Sequence, residues 1–286
     1  MGERKFKLAV VGANGFVGIN LRKFLASKKI QTVSLARKKH KRFESEKTVI
    51  FSDLANGNLS KKLAGCNALV HLVGTGAQTA AADYQSVNVE QTKNIINLCK
   101  SAKIKKIVYI SGLGVSESTT FGYFISKLKA EQQIINSGLD YTILRASYIV
   151  GRNDPLTKNL LNQAKRGCIA IPGSGSYRLQ PISVDDVSRI ILKCATSKKF
   201  SNQIINLVGP KTISFESFVR QFAKGRQAKI QKMSLENAFS MALRNPKKAV
   251  YGLDDLNILL GDFTSGHRKL ERLCGFKLKP TGRQPF

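Results

Sequence analysis

The sequence predicts an α/β fold, a doubly wound parallel sheet followed by a smaller C-terminal region. Short β-branched segments alternate with segments of helical period through the first half of the chain. This order requires helical crossovers between parallel strands. The segment Ala68–Val73 does not alternate between polar and apolar residues, as expected of a strand that is buried on both faces. A glycine-rich turn separates the first strand from the first helix, at residues 12–18.

Each element is predicted from its local pattern. Apolar residues at positions 17, 21, 24 and 25 share one face of a helix, which predicts a helix over Phe16–Ser27. The other predicted helices are Val87–Ala102, Ser126–Ser137, Pro155–Arg166, Val187–Ala195, Phe215–Lys224, Leu235–Leu243 and Leu253–Leu260. The predicted strands are Lys7–Val11, Thr32–Leu35, Val49–Ser52, Ala68–Val73, Lys106–Ile110, Tyr141–Leu144 and Gln203–Val208. We assign residues 1–150 to the sheet domain and residues 151–286 to a substrate-cap region, with residues 179–210 returning to the sheet.

The charge of the chain indicates anionic partners. Its 286 residues include 47 lysines and arginines against 18 acidic residues, which gives a formal net charge of +29. Residues 1–50 carry a net +10 and residues 211–286 a net +9, so the positive charge is concentrated at the two ends. Nucleotide phosphates, nucleic acid and acidic lipid are the partners that such a balance favours. A lysine-rich surface without a dedicated partner is the alternative interpretation.

Cysteine, histidine and apolar content exclude several classes of protein. The five cysteines are far apart and form no CxxC pair, and there are three histidines. We therefore expect core thiols in a reducing cytosol, with no metal site and no disulfide framework. No apolar run approaches the roughly 18 residues of a membrane span. The basic N-terminus leads into an apolar stretch that breaks at Gly12, so we expect no secretory signal.

The glycine-rich turn has the spacing of a dinucleotide-binding loop. Glycines at 12, 15 and 18 follow the first strand and open the first helix. The first permits a tight turn, the second lets the backbone approach a pyrophosphate, and the third allows close helix–strand packing. A structural turn without a ligand is the alternative. We predict that residues 1–150 bind a dinucleotide through Gly12, Asn14, Gly15, Phe16, Val17 and Gly18.

The residues after the second strand predict which dinucleotide is bound. A carboxylate at that point binds the ribose 2′-hydroxyl of NAD, whereas a basic residue favours the 2′-phosphate of NADP. Here the strand leads into Arg37 and Lys38, and no acidic residue occurs before Glu44. We predict NADP(H), with Arg37 as the main phosphate contact and Lys38 in support. NAD(H) and an ordinary solvated basic loop are the alternatives.

Tyr123 and Lys127 form a candidate acid/base pair. They are four residues apart at the start of a helix and share one of its faces. A nearby ammonium lowers the pKa of a phenol, so we expect Tyr123 to exchange protons at neutral pH. The spacing alone is a weak signal, and its position after the strand ending near Ser111 strengthens it.

Several short motifs, in a fixed order, resemble those of the short-chain dehydrogenase/reductases. They are Asp53-Leu54, His71-Leu72-Val73-Gly74, Tyr109-Ile110-Ser111, the Tyr123/Lys127 pair, and Arg145-Ala146-Ser147 leading to Gly151. The chain is similar to the extended or atypical branch, in the NAD-dependent epimerase/dehydratase-like group. Within that group it is most similar to the proteins that include the nucleotide-binding accessory subunit of respiratory complex I.

The resemblance implies a Rossmann-like fold and further cofactor contacts. Asp53, with Leu54 beside it, would meet the adenine amine, and Gly74 would lie against the ribose side of the cofactor. Lys127 would hold the hydroxyls of the nicotinamide ribose. The backbone near Ser147 would approach the carboxamide.

The resemblance also implies a catalytic set, from which this chain departs at one position. Tyr123 would be the acid/base. In active extended members a serine or threonine lies about two residues beyond Ser111, where this chain has Leu113. That hydroxyl polarises the substrate oxygen, and Ser111 is our candidate to replace it, with Ser116 and Thr119 as alternatives. The paired Asp-Glu acids of the sugar-nucleotide dehydratases are absent, which disfavours dehydratase activity.

Two functions are consistent with these residues. The first is an NADP(H)-dependent oxidoreductase or epimerase acting on a small carbonyl or alcohol, or on a nucleotide-linked substrate. The second is a catalytically weak NAD(P)H-binding subunit or assembly factor of a membrane-associated redox complex, in peripheral contact with an anionic membrane or a protein complex. The basic segments lack interleaved aromatic residues, so we do not expect nucleic-acid binding. The expected location is cytoplasmic, with peripheral membrane contact as the alternative.

Overall fold

The computed structural model describes residues 6–246 and 248–281, so the expectation about the basic N-terminus falls partly on residues outside it. Its strands are β1 (Lys7–Val11), β2 (Gln31–Ala36), β3 (Glu46–Ile50), β4 (Ala68–His71), β5 (Lys106–Gly112), β6 (Asp140–Ala146), β7 (Ile149–Val150), β8 (Cys168–Pro172), β9 (Arg178–Leu179), β10 (Ile182–Ser183), β11 (Gln203–Leu207), β12 (Ile213–Ser214) and β13 (Lys229–Met233). Its α-helices are α1 (Phe16–Ser27), α2 (Asn58–Lys62), α3 (Gln91–Ser101), α4 (Gly122–Ile135), α5 (Pro155–Lys165), α6 (Val184–Thr196), α7 (Phe215–Lys224), α8 (Leu235–Arg244), α9 (Leu253–Leu259) and α10 (Arg268–Cys274).

One parallel sheet contains seven of these strands, in the order β11-β6-β5-β4-β1-β2-β3. The strand order reverses at β1, where Leu8 pairs with Thr32 on one side and with Ala68 on the other. In open α/β sheets, ligands bind beyond the carboxyl ends of the strands at such a reversal. The predicted doubly wound parallel sheet is confirmed.

Both faces of the sheet are covered by helices. Leu8 and Val10 of β1 belong to a buried cluster with residues of α1, α6 and α10. Ala9 and Val11 of the same strand belong to a second cluster, with residues of α3 and α4. Because successive side chains of a strand point to opposite faces, a strand buried on both sides carries apolar residues at every position. This burial explains the unbroken apolar strands of the sequence.

The second half of the chain builds a third buried cluster beside the sheet. It includes Leu160 of α5, Phe218 of α7 and Leu256 of α9, with residues of the short strands β8 and β9. The chain then returns to the sheet, where Leu270 and Cys274 of α10 join the cluster under α1 and α6. The sequence-based division placed that helix in the cap region, whereas the structure packs it on the sheet.

Some element boundaries differ from the predictions. The helix predicted from Ser126 begins at Gly122, and the helix predicted from Val87 begins as a π-helical segment over Gln85–Glu90. Eight of the elements named above were not predicted: the helices α2 and α10 and the strands β7, β8, β9, β10, β12 and β13. The sequence KIQKM of β13 has no apolar face, and this strand forms by parallel pairing with β8. Such pairing partners cannot be found from local pattern.

Candidate functional site

The glycine loop lies between β1 and β4, at the reversal of strand order. Gly12 has φ +86°, and a Cβ there would lie 2.8 Å from the carbonyl carbon of Leu72, just beyond β4. A Cβ on Gly18 would overlap the carbonyl oxygen of Gly12. Gly15 donates its N–H to that same oxygen at 3.1 Å. The backbone therefore requires glycine at 12 for its conformation and at 18 for space.

Helix α1 points its N-terminus at this loop. Gly15 is the N-cap, no side chain caps the helix, and its first turn contains no acidic residue. The first N–H groups of a helix have no partner within the helix, and the helix dipole adds partial positive charge at this end. Phe16, Val17 and Gly18 form this first turn, which therefore offers an anion the donors that a pyrophosphate requires.

The basic residues after β2 lie beside the glycine loop. Arg37 and Lys38 are both exposed, directly after the end of the strand at Ala36. The side-chain amide of Asn14 donates to the carbonyl oxygen of Lys38 at 3.1 Å, which joins the two loops. The backbone of these two exposed cationic residues is thus held next to the glycine loop that precedes α1.

Arg22 and Glu46 form a buried ion pair beneath these loops. The Arg22 side chain, 2% exposed, donates from Nε to Glu46, from Nη1 to the carbonyl oxygen of Ala13 at 3.1 Å, and from Nη2 to that of Lys41 at 2.6 Å. Burial works to raise the pKa of the Glu46 carboxyl. Hydrogen bonds from Arg22, Ser34 and the backbone outweigh it and lower this pKa below its ordinary value. One guanidinium thereby holds both cofactor-side loops in place.

The other predicted cofactor contacts continue along the carboxyl ends of the strands. Asp53 is exposed beyond β3, with one carboxylate oxygen accepting from the N–H of Ala55, while Leu54 is buried. Gly74 follows β4, and a Cβ there would lie 3.0 Å from Nζ of Lys127 and 3.2 Å from Oδ1 of Asn88. These positions place the residues predicted to contact the adenine, the ribose and the phosphates along one edge of the sheet.

Lys127 is buried with its ammonium in contact with β5. Its side chain donates to the Tyr109 hydroxyl at 3.1 Å and to the carbonyl oxygen of Ile110 at 3.2 Å. Burial lowers the pKa of Lys127 to about 8, against the opposing effect of Glu131 one helical turn on. The ammonium is therefore charged at neutral pH, in a setting that penalises its charge.

Tyr123 is protonated more firmly than the sequence analysis predicts. The expectation that Lys127 lowers the pKa of this phenol is wrong, because burial raises the pKa of Tyr123 to about 12. The Lys127 ammonium lies 5.9 Å from the centre of the Tyr123 ring and donates to Tyr109 and Ile110 instead. Desolvation of the phenolate therefore dominates.

A pocket of about 250 Å³ lies at the carboxyl ends of β5 and β6, and Tyr123 lines it. Ser111 and Ser147 also line it, and their hydroxyl oxygens are buried without a hydrogen-bond partner. Leu113 forms part of the wall, whereas the Ser116 hydroxyl bonds to Ser118 on the exposed surface. Of the hydroxyls proposed to replace the missing one, Ser111 lines the pocket together with Tyr123.

Sequence reasoning missed several residues that shape this site. Tyr109 was part of a quoted motif, but nothing local indicated that its hydroxyl accepts from Lys127. Arg22 lies among the apolar residues of α1, an unusual position that could have been noticed. Ile258 and Phe263, which close the pocket from the second half of the chain, carry no local signal.

Two negative findings apply to residues 6–246 and 248–281. No group of three or more histidine, cysteine or acidic side chains is placed to hold a metal ion. No helix there has the length and apolar character needed to cross a membrane.

Comparison with known proteins agrees with the glycine loop and the sheet edge just described. The model of a protein family described as NAD(P)H-binding matches residues 12–198. The chain belongs to this NAD(P)H-binding family. The matched segment begins at Gly12 and includes Tyr123, Lys127 and Ser147.

Individual relatives are distant. The 2-alkyl-3-oxoalkanoate reductase of Shewanella oneidensis is 27% identical over 209 residues, covering 63% of this chain and 54% of that protein. NADH dehydrogenase (ubiquinone) 1 alpha subcomplex subunit 9 of Dictyostelium discoideum is 23% identical over 226 residues, covering 76% of this chain and 63% of that subunit. The chain thus spans little more than half of the first and under two thirds of the second.

A solved structure shows the same fold. MoeE5, in complex with UDP-glucose and NAD, superposes with a TM-score of 0.76 at 21% identity, covering 96% of this chain and 94% of that chain. The short-chain dehydrogenase/reductase resemblance of the sequence and its Rossmann-like fold are both confirmed by these matches.

Proposed function

We propose that the protein is an NADP(H)-dependent oxidoreductase that interconverts a small carbonyl compound and its alcohol, with Tyr123 as the acid/base. The observation that carries the proposal is the pocket at the ends of β5 and β6. Tyr123 and Ser111 line the same 250 Å³ space, and the buried Ser111 hydroxyl has no hydrogen-bond partner. A buried hydroxyl without a partner costs free energy, which a substrate oxygen would recover by hydrogen bonding.

The residues along the sheet edge fit a dinucleotide. The glycine loop and the N-terminus of α1 would bind the pyrophosphate, and Asp53 with Leu54 would meet the adenine. Gly74 and Lys127 would face the nicotinamide ribose. The backbone near Ser147 would approach the carboxamide, and the buried Ser147 hydroxyl has no hydrogen-bond partner of its own. When bound, the dinucleotide supplies or accepts the hydride.

The protein's own residues handle the proton. Ser111 would hold the substrate oxygen by hydrogen bonding from Oγ. Because the pKa of Tyr123 is about 12, its hydroxyl is protonated at neutral pH and is ready to donate a proton to that oxygen during reduction. The arrangement therefore favours the direction from carbonyl to alcohol.

Substitution of the hydroxyls tests this mechanism. We expect Tyr123→Phe to reduce turnover with NADPH by about 10²–10⁴-fold while NADPH binding persists, because only the proton donor is lost. Ser111→Ala should reduce turnover as well, whereas Ser116→Ala, on the exposed surface, serves as the matched control. Unchanged turnover in Tyr123→Phe would refute the mechanism.

The basic loop tests the cofactor. We expect the double variant Arg37→Ala/Lys38→Ala to weaken NADPH binding by about tenfold or more, since charge-assisted contacts to a phosphate are lost. NADH binding should change little, because NADH has no 2′-phosphate. Lys47→Ala, an exposed lysine on β3, is the control for a general change of charge. Wild-type protein that binds NADH more tightly than NADPH would contradict the NADP(H) assignment.

A second candidate function has support of its own. Leu113 lies where the active extended short-chain dehydrogenase/reductases have a serine or threonine hydroxyl. The relative from Dictyostelium discoideum is by name a subunit of NADH dehydrogenase. In this alternative the protein binds NAD(P)H as a structural subunit at a membrane-associated complex. Leu243 of α8 is 65% exposed next to the exposed Arg244, a surface that suits such a contact.

The two functions are separated by turnover and by vesicle binding. The subunit function expects NADPH binding without turnover of any carbonyl, and salt-sensitive flotation with anionic vesicles. Leu243→Ser should weaken that flotation, while the exposed control Ile204→Ser on β11 should not. Absence of vesicle binding at low salt would count against the membrane contact.

A further inference from the structure

The walls of the Tyr123 pocket carry information about the substrate that the oxidoreductase proposal leaves open. The inference below rests on that proposed function. The pocket is lined mainly by aliphatic and aromatic groups, among them Ile110, Leu113, Phe124, Ile258 and Phe263. In the described part of the chain no charged side chain lines it. Its polar side chains are the hydroxyls of Ser111, Tyr123, Ser147 and Tyr148.

Lys127 and Arg178 contact the wall, and neither presents its charge to the pocket. Lys127 reaches the carbonyl oxygen of Ile110 but also donates to Tyr109, away from the lining. Arg178 accepts at its carbonyl oxygen from the N–H of Phe263. Its guanidinium pairs with Asp262 at 3.1 Å, where both side chains are about half exposed. A carboxylate or phosphate in this pocket would lose its hydration without gaining a cation, which is strongly unfavourable.

Two aromatic rings form part of the wall of the pocket. The rings of Phe124 and Phe263 lie 5.3 Å apart between centroids. Both pack on Gly114, where a Cβ would lie 2.6 Å from Phe124 and 2.5 Å from Phe263. The pocket of about 250 Å³ is smaller than the roughly 300–1,000 Å³ of sites for drug-sized ligands.

From these observations we infer that the substrate is a small, uncharged ketone or aldehyde with apolar substituents. The pocket takes its carbonyl oxygen at the Ser111 and Tyr123 hydroxyls and its apolar groups against Phe124, Ile258 and Phe263. Nucleotide-linked and carboxylate-bearing substrates are disfavoured, because each would bring an anionic group to a pocket whose lining has no cationic side chain. The sequence analysis left two substrate classes for the oxidoreductase, a small carbonyl or alcohol and a nucleotide-linked substrate. The inference selects the first.

The test compares a neutral ketone with a carboxylate of similar shape, and adds a nucleotide sugar as a third probe. Binding of 4′-methylacetophenone, 4-acetylbenzoate and UDP-glucose is measured by ligand-observed NMR, with and without NADP⁺, so that no reduction takes place. We expect the neutral ketone to bind at least about tenfold more tightly than the carboxylate. UDP-glucose should not displace it.

A pair of variants on α9 adds a charge inside and outside the lining. Ile258→Arg places a cation in the apolar wall and should remove or invert the preference for the neutral ketone. Asn257→Arg adds the same charge to the same helix at a residue outside the lining, and should leave the preference unchanged. Equal or tighter binding of 4-acetylbenzoate or UDP-glucose to the wild type would overturn the inference. Failure to bind either acetophenone at millimolar concentration would overturn it too.

Turnover separates this inference from the proposed function. If the neutral ketone binds selectively and NADPH does not reduce it, the oxidoreductase proposal fails while the assignment of the pocket's selectivity stands. If the protein reduces 4-acetylbenzoate in preference to the neutral ketone, the oxidoreductase proposal stands and the present inference fails.

Discussion

Replacing Lys127 with methionine should stabilise the protein while it damages the cofactor site. The side chain is 5% exposed, and burial lowers the pKa of its ammonium from 10.5 to about 8. Because the folded state holds this proton less tightly than the unfolded chain, charging Lys127 opposes folding. Methionine keeps most of the length of the side chain and removes the charge.

The magnitude follows from the two pKa values. At 1.36 kcal/mol per pKa unit, the difference between 10.5 and about 8 amounts to about 3 kcal/mol at neutral pH. Loss of the hydrogen bonds to Tyr109 and Ile110 offsets part of this by about 1 kcal/mol or more. We therefore expect Lys127→Met to raise the free energy of unfolding at pH 7 by about 1–2 kcal/mol.

The sign of the pH dependence makes the prediction specific. Between pH 8 and pH 10.5 the unfolded chain binds more protons at this lysine than the folded protein, so wild-type stability rises with pH across that window. The advantage of Lys127→Met over the wild type should accordingly shrink by about 2–3 kcal/mol between pH 7 and pH 10. Other titrating groups are common to both proteins and cancel in the difference.

Urea unfolding at pH 7 and pH 10 measures this change. Lys129→Met, an exposed lysine of the same helix, is the control and should show no such dependence. NADPH affinity should fall in Lys127→Met and persist in Lys129→Met. If the difference in the free energy of unfolding between Lys127→Met and the wild type does not change with pH, the conclusion that Lys127 is buried in its charged form is refuted.

Four further outcomes follow from the structure. Gly18→Ala should abolish NADPH binding, measured by calorimetry, because its Cβ would overlap the Gly12 carbonyl oxygen; retained affinity would contradict the loop geometry. Arg22→Ala should lower the free energy of unfolding in urea by about 3–5 kcal/mol, because it leaves Glu46 buried and unpaired. The pKa of Glu46 is lower in the folded protein than in the unfolded chain, so its carboxylate stabilises the fold above the unfolded pKa near 4.3. This stabilisation is lost as the pH falls from that value through the folded pKa. In Glu46→Gln the free energy of unfolding should therefore depend less on pH in this acidic range. Native protein should expose one fast-reacting thiol to a thiol reagent, Cys168, because the other four cysteines are buried, and several fast thiols would contradict this burial.

The cofactor side of the site could be predicted because its signals are local. Turn formation at Gly12 and the opening of α1 depend on neighbouring residues, and the basic character of Arg37 and Lys38 is visible next to the predicted strand. Parallel strands bring such strand-end residues to one edge of the sheet. The structure places Gly12, Arg37 and Gly74 along that edge, as the order of elements indicates.

The chemistry of the pocket depends on contacts between distant residues. Whether Lys127 lowers the pKa of Tyr123 depends on where its ammonium points, and Tyr109, 18 residues earlier, accepts from it instead. The closure of the pocket by Ile258 and Phe263 depends on how the second half of the chain packs. Local pattern contains neither piece of information.

The sequence by itself determined the parallel sheet, the glycine loop and the basic residues beside it, because periodicity, turn formation and charge are properties of short segments. The tertiary structure decided that Tyr123 stays protonated, that Arg22 joins two loops, and that the pocket is small and uncharged. Burial, and the charges and hydrogen bonds that meet within it, arise when residues far apart in the chain come together. Desolvation at these contacts sets the pKa values of the site and is the basis of the selectivity that we infer for it.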